Sequence, residues 1–243
     1  MPEPDDKLMT ALAEFAAGAG HEINNPLAII SGHAQVLLEK TESPDQRRRL
    51  AAIISQTKRA YEMIADLRLF GSPPEPSYSL FNFKEFFDRL IVDHSGTDAE
   101  FPVTISVEYD ENNLPKEVRA DQSILRMVFD ALLRNAHEAV APKEARVRIA
   151  VSADVLNRRW HIVLNDNGPG IPPQLRSRIF LPYFSGRNAG RGLGFGLPRS
   201  WALVKRMGGE LSLEDRGFVI TLPLSENGST SCHDKPQTED RTQ

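Results

Sequence analysis

The amino-acid sequence predicts an α+β protein in which a helical hairpin is followed by a two-layer α/β sandwich with a mixed sheet. Two long segments near the N-terminus carry apolar side chains at helical spacing. A proline-rich stretch, GSPPEPSYS, then interrupts this pattern. Beyond it, strand-like and helix-like segments follow one another without the strict alternation of a parallel α/β fold, which favours a mixed sheet.

Composition and charge narrow the class of protein. The chain has 243 residues, enough for one large domain or two small ones, and its formal net charge of −4 gives no reason to expect a nucleic-acid partner. The single cysteine, Cys232, excludes a disulfide framework within the chain and favours a reducing cytosol. The N-terminus lacks the order of a signal peptide, and no run of about 18 apolar residues could span a membrane. We therefore expect a cytoplasmic protein.

Residues 1–70 are predicted to form the hairpin, with helices over residues 8–40 and 45–70 and a turn between them. The apolar seam of the first helix consists of Ile23, Leu27, Ile30, Ala34 and Leu37. The stripe of the second helix consists of Leu50, Ile53, Ile54, Thr57, Tyr61, Ile64 and Leu67. Two helices alone bury such narrow stripes poorly. A homodimer forming a four-helix bundle is therefore one prediction, and a hairpin packed on its own chain is the other.

Residues 71–79 are predicted to be a linker, and residues 80–224 a second domain. Its strands are expected where apolar and polar residues alternate or short apolar runs occur. These segments are residues 103–109, 146–155, 160–164, 210–213 and 218–222.

Helices of the second domain are predicted at residues 83–93 and 122–140, the latter with Asp121 as its N-cap. A further helix has Pro198 in its first turn and stops at the glycine pair 208–209. Residues 225–243 are polar without apolar periodicity, so they are predicted to be a disordered tail.

Two glycine motifs of the second domain indicate a ligand. In DNGPGI, residues 166–171, the glycines permit close backbone approach, and Asp166 could accept a hydrogen bond from an exocyclic amine such as that of adenine. GRGLGFGL, residues 190–197, precedes a helix, where successive backbone N–H groups suit a phosphate. Neither motif is specific alone, because the first also fits a plain turn and the second lacks the Lys-Ser/Thr pair of a phosphate loop.

A third element is LLRNAHEA, residues 132–139, which lies within a predicted helix. Asparagine is a mediocre helix former, and the amide oxygen of Asn135 could bind Mg²⁺. The other interpretation is a polar residue that faces solvent.

The combination is much more specific than its parts. Asn135, DNGPGI, then IFLPYF at residues 179–184 and finally GRGLGFGL occur in this order. The order resembles the ATP-binding domain of sensor histidine kinases, a Bergerat-type fold shared with gyrase-type ATPases, over roughly residues 80–224. The stretch GHEINNPL, residues 20–27, resembles the phosphoacceptor box of the same kinases.

The resemblance implies roles for the nucleotide-binding positions. Asn135 would hold the Mg²⁺ that bridges the triphosphate. Asp166 would accept a hydrogen bond from the adenine amino group, within a wall shaped by Gly168 and Gly170. These assignments imply ATP and Mg²⁺ as the cofactors.

The resemblance also implies a mobile lid over the phosphates, with Phe180 and Phe184 anchoring its start. Glycines would let the end of the lid approach the phosphates, and arginines could supply charge to the γ-phosphate or remain solvated loop charges. The residues of this part of the site are Arg187, Arg191, Gly192, Leu193, Gly194 and Gly196.

One position departs from the family pattern. Histidine kinases often carry a second asparagine four residues before the Mg²⁺ ligand, and gyrase-like hydrolases carry a glutamate there that activates water. This chain has Ala131, which can do neither. The departure argues against an efficient ATP hydrolase.

His21 and its neighbours determine the predicted reaction. A zinc protease motif would place a second histidine one helical turn later, where this chain has Asn25. The resemblance instead implies that His21 is the phosphoacceptor and Glu22 its base. Asn25 lies on the same helical face and resembles the position that can orient a water to dephosphorylate a partner.

The sequence therefore predicts a histidine kinase that autophosphorylates His21 and transfers the phosphoryl group to an aspartate of a separate response regulator. Two alternatives remain open. One is a gyrase-like ATPase or conformational switch that forms no phosphohistidine. The other is a non-catalytic dimeric scaffold that binds nucleotide, or a protein that acts mainly as a phosphatase.

Overall fold

The computed structural model describes residues 6–95, 101–110, 117–141, 143–182, 184, 194–215 and 217–224. Side chains before residue 22 are not described. The predicted disordered tail, residues 225–243, lies outside the described residues.

The N-terminal part is a hairpin of two long helices, α1 (Asp6–Lys40) and α2 (Pro44–Gly71). Pro44 begins the second helix, where its missing N–H costs nothing. The guanidinium of Arg47 donates to the backbone carbonyls of Leu38 at 2.9 Å and Thr41 at 3.1 Å, which ties the turn to the end of α1. Among the described residues, no helix is both long and apolar enough to cross a membrane.

The predicted apolar seam of the hairpin is buried only in part. Ala34 is buried in α1, and Leu67 in α2. By contrast, Ile23, Ile30 and Leu37 are 42%, 47% and 54% exposed. The two helices therefore cover only one side of the seam between them, and the rest faces outward.

The C-terminal part confirms the predicted sandwich with a mixed sheet. Its strands are β1 (Ser79–Phe81), β2 (Val103–Tyr109), β3 (Val118–Ala120), β4 (Ala145–Asp154), β5 (Arg159–Asp166), β6 (Glu210–Glu214) and β7 (Gly217–Pro223). Its helices are α3 (Phe83–His94), α4 (Gln122–Val140), α5 (Pro173–Arg176) and α6 (Gly196–Arg206). The main sheet has the order β2-β4-β5-β7-β6, with β2 and β4 parallel and the other neighbours antiparallel.

Burial along β4 alternates, so one face of the sheet meets the helices and the other is more open. The buried face packs against α3, α4 and α6 through an aromatic cluster. Within this cluster, the ring of Phe83 meets Trp160 edge to face at a centroid distance of 4.7 Å, and Phe87 meets Phe129 at 5.1 Å. The core therefore holds α4 firmly on the sheet, and α4 carries the candidate site.

Asp121 is the N-cap of α4, as the sequence predicts. Its carboxylate accepts from the backbone N–H groups of Ser123 at 2.9 Å and Ile124 at 3.0 Å. It also accepts from the N–H of Ser77 at 2.7 Å, within the predicted linker. Burial alone would raise the pKa of this carboxyl, but these hydrogen bonds hold the pKa below its usual range. The end of the linker is thereby attached to the start of α4, whereas the predicted domain boundary itself stays a prediction.

Helix α6 of the sandwich packs against α2 of the hairpin. Arg199 forms an ion pair with Asp66, and both side chains are largely buried, at 23% and 17% exposure. Burial raises the pKa of Asp66, although the charge and hydrogen bond of Arg199 act in the opposite direction. At the end of the same helix, Arg206 pairs with Glu75, which is 81% exposed. Loss of the Arg199–Asp66 pair should therefore destabilise the fold more than loss of the Arg206–Glu75 pair.

We expect Arg199→Met to lower the free energy of unfolding by about 2 kcal/mol at pH 7, because the buried carboxylate of Asp66 loses its counter-charge. A carboxyl with a raised pKa binds its proton more tightly in the folded state, so acidification favours that state. The loss should therefore shrink at a lower pH, as the pH falls through the raised pKa of Asp66 and the carboxyl takes up its proton. Urea unfolding at both pH values measures this difference.

Arg206→Met is the matched control, because it removes a similar side chain whose partner Glu75 is solvated. Its effect should stay within about 0.5 kcal/mol at either pH. Two results would contradict a stabilising role of the buried Arg199–Asp66 pair. One is an equal loss of unfolding free energy in both variants, and the other is a loss in Arg199→Met that does not depend on pH.

Candidate functional site

One face of α4 carries Ala131, Asn135 and Ala139 on successive turns. Two glycine segments approach this face closely. A Cβ added at Gly196 would lie 4.0 Å from the Cβ of Ala131, and one added at Gly168 would lie 3.3 Å from the Cβ of Ala139. Half-buried Asn135 therefore lies between the two glycine motifs that the sequence singles out.

Asp166 and Gly168 form a tight unit at the end of β5. One carboxylate oxygen of Asp166 accepts from the backbone N–H of Gly168 at 2.7 Å. A Cβ at position 168 would lie 2.6 Å from that same oxygen, closer than real Cβ atoms come to a neighbour. Gly170 follows with φ of +73°, a left-handed conformation that favours glycine. Gly168 thus leaves room for the carboxylate of Asp166, and Gly170 suits the left-handed backbone that follows.

Asn167 has a structural role that the sequence did not indicate. Its side-chain oxygen accepts from the N–H of Arg146 at 2.9 Å, and its amide nitrogen donates to the carbonyl of Glu144 at 3.0 Å. Its own N–H donates to the carbonyl of Arg146 at 3.1 Å. These bonds fasten the loop to the beginning of β4. They thereby anchor the residue that directly follows Asp166.

Phe180 and Phe184, the predicted start of the lid, lie in differing surroundings. Phe180 is buried, whereas half-buried Phe184 has the guanidinium of Arg178 over its ring at 4.6 Å. Arg176 donates to the carbonyl of Ile171 at 3.2 Å, which joins this region to the end of DNGPGI. The predicted lid residues Arg187, Arg191, Gly192 and Leu193 lie outside the described residues.

The start of α6 lies at the Ala131 end of the α4 face, away from the DNGPGI loop. Gly194 has φ of +71°, which again favours glycine, and the ring of Phe195 is buried directly before the helix. Gly196 is the first helical residue, and its carbonyl accepts from the hydroxyl of Ser200 at 2.8 Å. The chain therefore enters α6 through a tight turn next to α4.

The phosphoacceptor motif is carried by a different element, helix α1. His21 belongs to this helix, and its side chain is outside the described part of the chain. Glu22 and Asn25 are exposed on α1, and Pro26 lies inside the helix. The structure thus brings Asn135, the DNGPGI loop and the start of α6 together, separately from the histidine motif.

Comparison with known proteins identifies both parts of the chain. Residues 11–75 match the His Kinase A (phospho-acceptor) domain, and residues 120–227 match the histidine kinase-, DNA gyrase B- and HSP90-like ATPases. The sensory histidine kinase/phosphatase NtrB of Rhodobacter capsulatus is 31% identical over 229 residues, covering 88% of this chain and 62% of that protein. The chain spans roughly a third to two thirds of the length of the curated relatives it matches.

Solved structures share the fold. ShkA, in complex with AMPPNP, gives a TM-score of 0.70 at 24% identity over 89% of this chain and 47% of that chain. The histidine kinase ThkA, in complex with the response regulator protein TrrA, gives 0.59 at 21% identity over 87% of this chain and 61% of that one. At these identities the likeness establishes the fold alone, a helical hairpin followed by an α/β sandwich.

We expect Gly168→Ala to weaken nucleotide binding about tenfold, because the added methyl group would displace the carboxylate of Asp166. The backbone at Gly168 is not left-handed, so alanine adds a steric clash without backbone strain. Calorimetric titration with ADP measures the dissociation constant.

Gly32→Ala serves as the control, because a Cβ there would meet no atom within 4 Å. It should leave ADP affinity unchanged and stabilise α1 by up to about 1 kcal/mol. If Gly168→Ala binds ADP as tightly as the unsubstituted chain, Asp166 does not recognise the base.

Proposed function

This chain belongs to the two-component sensor histidine kinases, and we propose that it uses ATP to phosphorylate its own His21 and then passes the phosphoryl group to an aspartate of a separate response regulator. One observation carries the proposal. Asn135 lies on a single face of α4 between the DNGPGI loop and the glycine turn before α6. This arrangement supports an adenine-binding wall at one end of the site and a phosphate-binding turn at the other.

In the proposed reaction, one imidazole nitrogen of His21 attacks the γ-phosphorus of ATP. A P–N bond forms while the bond from the γ-phosphorus to the bridging oxygen breaks, and ADP leaves with that electron pair. Glu22 accepts the proton from the other ring nitrogen, which makes the attacking nitrogen more nucleophilic. The exposure of Glu22 on α1 supports this role, because the motif must meet a nucleotide delivered by another part of the chain.

The residues present fit a magnesium ion that accompanies the nucleotide. The amide oxygen of half-buried Asn135 is the hard oxygen ligand that Mg²⁺ prefers. A bound Mg²⁺ would neutralise charge on the triphosphate. Buried Ala131 offers no carboxylate that could activate a water molecule. The lack of a carboxylate there supports transfer to histidine over hydrolysis by water.

The proposed partner is a receiver protein. ThkA was solved with the response regulator TrrA, and NtrB is named as both kinase and phosphatase. We assign the reverse activity to Asn25, which is exposed one turn from His21 and could orient a water against the phosphorylated aspartate.

We further propose that the working form is a homodimer. The outward part of the hairpin seam, including Ile23, Ile30 and Ile53, is more than 40% exposed in the single chain. A second hairpin would cover these side chains and complete a four-helix bundle.

We expect His21→Gln to abolish labelling of the chain by [γ-³²P]ATP while ADP still binds, because glutamine keeps the helix but offers no nucleophilic nitrogen. The control is His33→Gln, an exposed histidine on the same helix, which should be labelled normally. The label should be lost in acid and retained in alkali. Labelling of His21→Gln, or ATP hydrolysis without any phosphoprotein, would instead favour the gyrase-like alternative.

We expect Asn135→Ala to remove the dependence of ATP affinity on Mg²⁺, because its amide oxygen would no longer hold the ion. Titration of an ATP analogue with Mg²⁺ or with EDTA measures the ratio of the two dissociation constants. The control is Asn165→Ala, which changes an exposed asparagine on β5. It should keep the ratio of dissociation constants of the unsubstituted chain. An unchanged ratio in Asn135→Ala would exclude this residue as the ligand.

A further inference from the structure

Tyr61 links the two helices of the hairpin close to the phosphoacceptor motif. Its hydroxyl donates a hydrogen bond to the backbone carbonyl of Asn24 at 3.0 Å. Asn24 lies one turn after His21 and two residues before Pro26. The contact therefore joins α2 to the turn of α1 that separates the histidine from the proline.

This turn of α1 is weakened by its sequence. Pro26 has no N–H, so the carbonyl of Glu22 loses the donor that it would have in a regular helix. Helices bend at such positions because one intrahelical bond is missing and the proline ring displaces the preceding turn. A bond from a neighbouring helix can then determine the direction and extent of the bend.

The side chains around this turn show which side faces α2. The amide oxygen of Asn24 is buried and has no hydrogen-bond partner among the described residues, whereas Glu22 and Asn25 are exposed. Asn24 therefore faces the second helix, and the residues assigned to catalysis face away from it. A carbonyl oxygen has two lone pairs, so it can accept from Tyr61 as well as within its own helix.

We propose that Tyr61 is a positioning residue for the phosphoacceptor: its hydroxyl anchors the turn between His21 and Pro26 to α2 and so determines where His21 meets the nucleotide. The inference rests on the proposed function, in which His21 attacks ATP. Tyr61 does not touch the reacting atoms. It acts through the α1 backbone, where a displacement of about 1 Å can change a rate greatly.

The test compares Tyr61→Phe with the unsubstituted chain, because phenylalanine keeps the packing and removes only the hydroxyl. The initial rate of labelling at saturating Mg-ATP should fall about fivefold, while the KM for ATP stays unchanged because the nucleotide site lies on other elements. Hydrogen exchange of the α1 amides near Pro26 should accelerate, which is a readout independent of activity. Tyr78→Phe, which removes a hydroxyl from an exposed tyrosine in the predicted linker, is the matched control.

A double-mutant cycle separates positioning from general stabilisation of the hairpin. In a Pro26→Ala background the regular helix no longer needs the external bond, so adding Tyr61→Phe should leave the labelling rate unchanged. Normal labelling and exchange in Tyr61→Phe, or an equal loss in both backgrounds, would overturn the inference. The His21→Gln variant distinguishes failure of this inference from failure of the proposed function. If His21→Gln is not labelled and Tyr61→Phe behaves like the unsubstituted chain, the inference fails and the proposed function stands. A chain in which His21 is never labelled would overturn both.

Discussion

The candidate site depends on how closely two backbone segments can approach one face of α4. Small residues lie on both sides of the contact: Ala131 and Ala139 on the helix, and Gly196 and Gly168 on the segments facing them. A Cβ at Gly168 would lie 2.6 Å from the carboxylate of Asp166 and 3.3 Å from the Cβ of Ala139, whereas one at Gly196 would make only an ordinary contact with Ala131 at 4.0 Å. The packing of both segments on α4 thus holds Asn135 between them.

Helix α6 connects this site to the hairpin. It begins at the glycine turn, and one turn later Arg199 meets Asp66 of α2. Burial of two opposite charges returns little net free energy, because their desolvation nearly cancels their attraction. The raised pKa of Asp66 indicates that desolvation outweighs the pairing with Arg199. Such a contact is specific in geometry, yet separating its two charges into water costs little, which is compatible with the proposed delivery of a nucleotide to His21.

The sequence predicted the elements with strong local patterns and missed those that depend on distant partners. Strand β2 and helix α4 agree with their predicted bounds, because alternation and an N-cap aspartate are local signals. Strands β1 and β3 were missed, since three residues carry no period and each exists only by pairing with the other. In the site, the glycines were recognised from their spacing. The bonds of Asn167 and of Tyr61 were not predicted, because their partners lie on other elements.

The exposed part of the hairpin seam bears on the stability of α1 itself. An isolated helix gains little from its backbone alone, so α1 depends on the apolar side chains that it buries. Within one chain it buries Ala34, whereas Ile23, Ile30 and Leu37 retain 42%, 47% and 54% exposure. Full burial of a fully exposed side chain of this kind contributes about 1.5–3 kcal/mol, so covering the exposed half of each would contribute roughly 1 kcal/mol. A second hairpin against this face would therefore stabilise the helix that carries His21. In the proposed homodimer, dimerisation and the position of His21 would then be linked, because the turn at Pro26 belongs to the same helix.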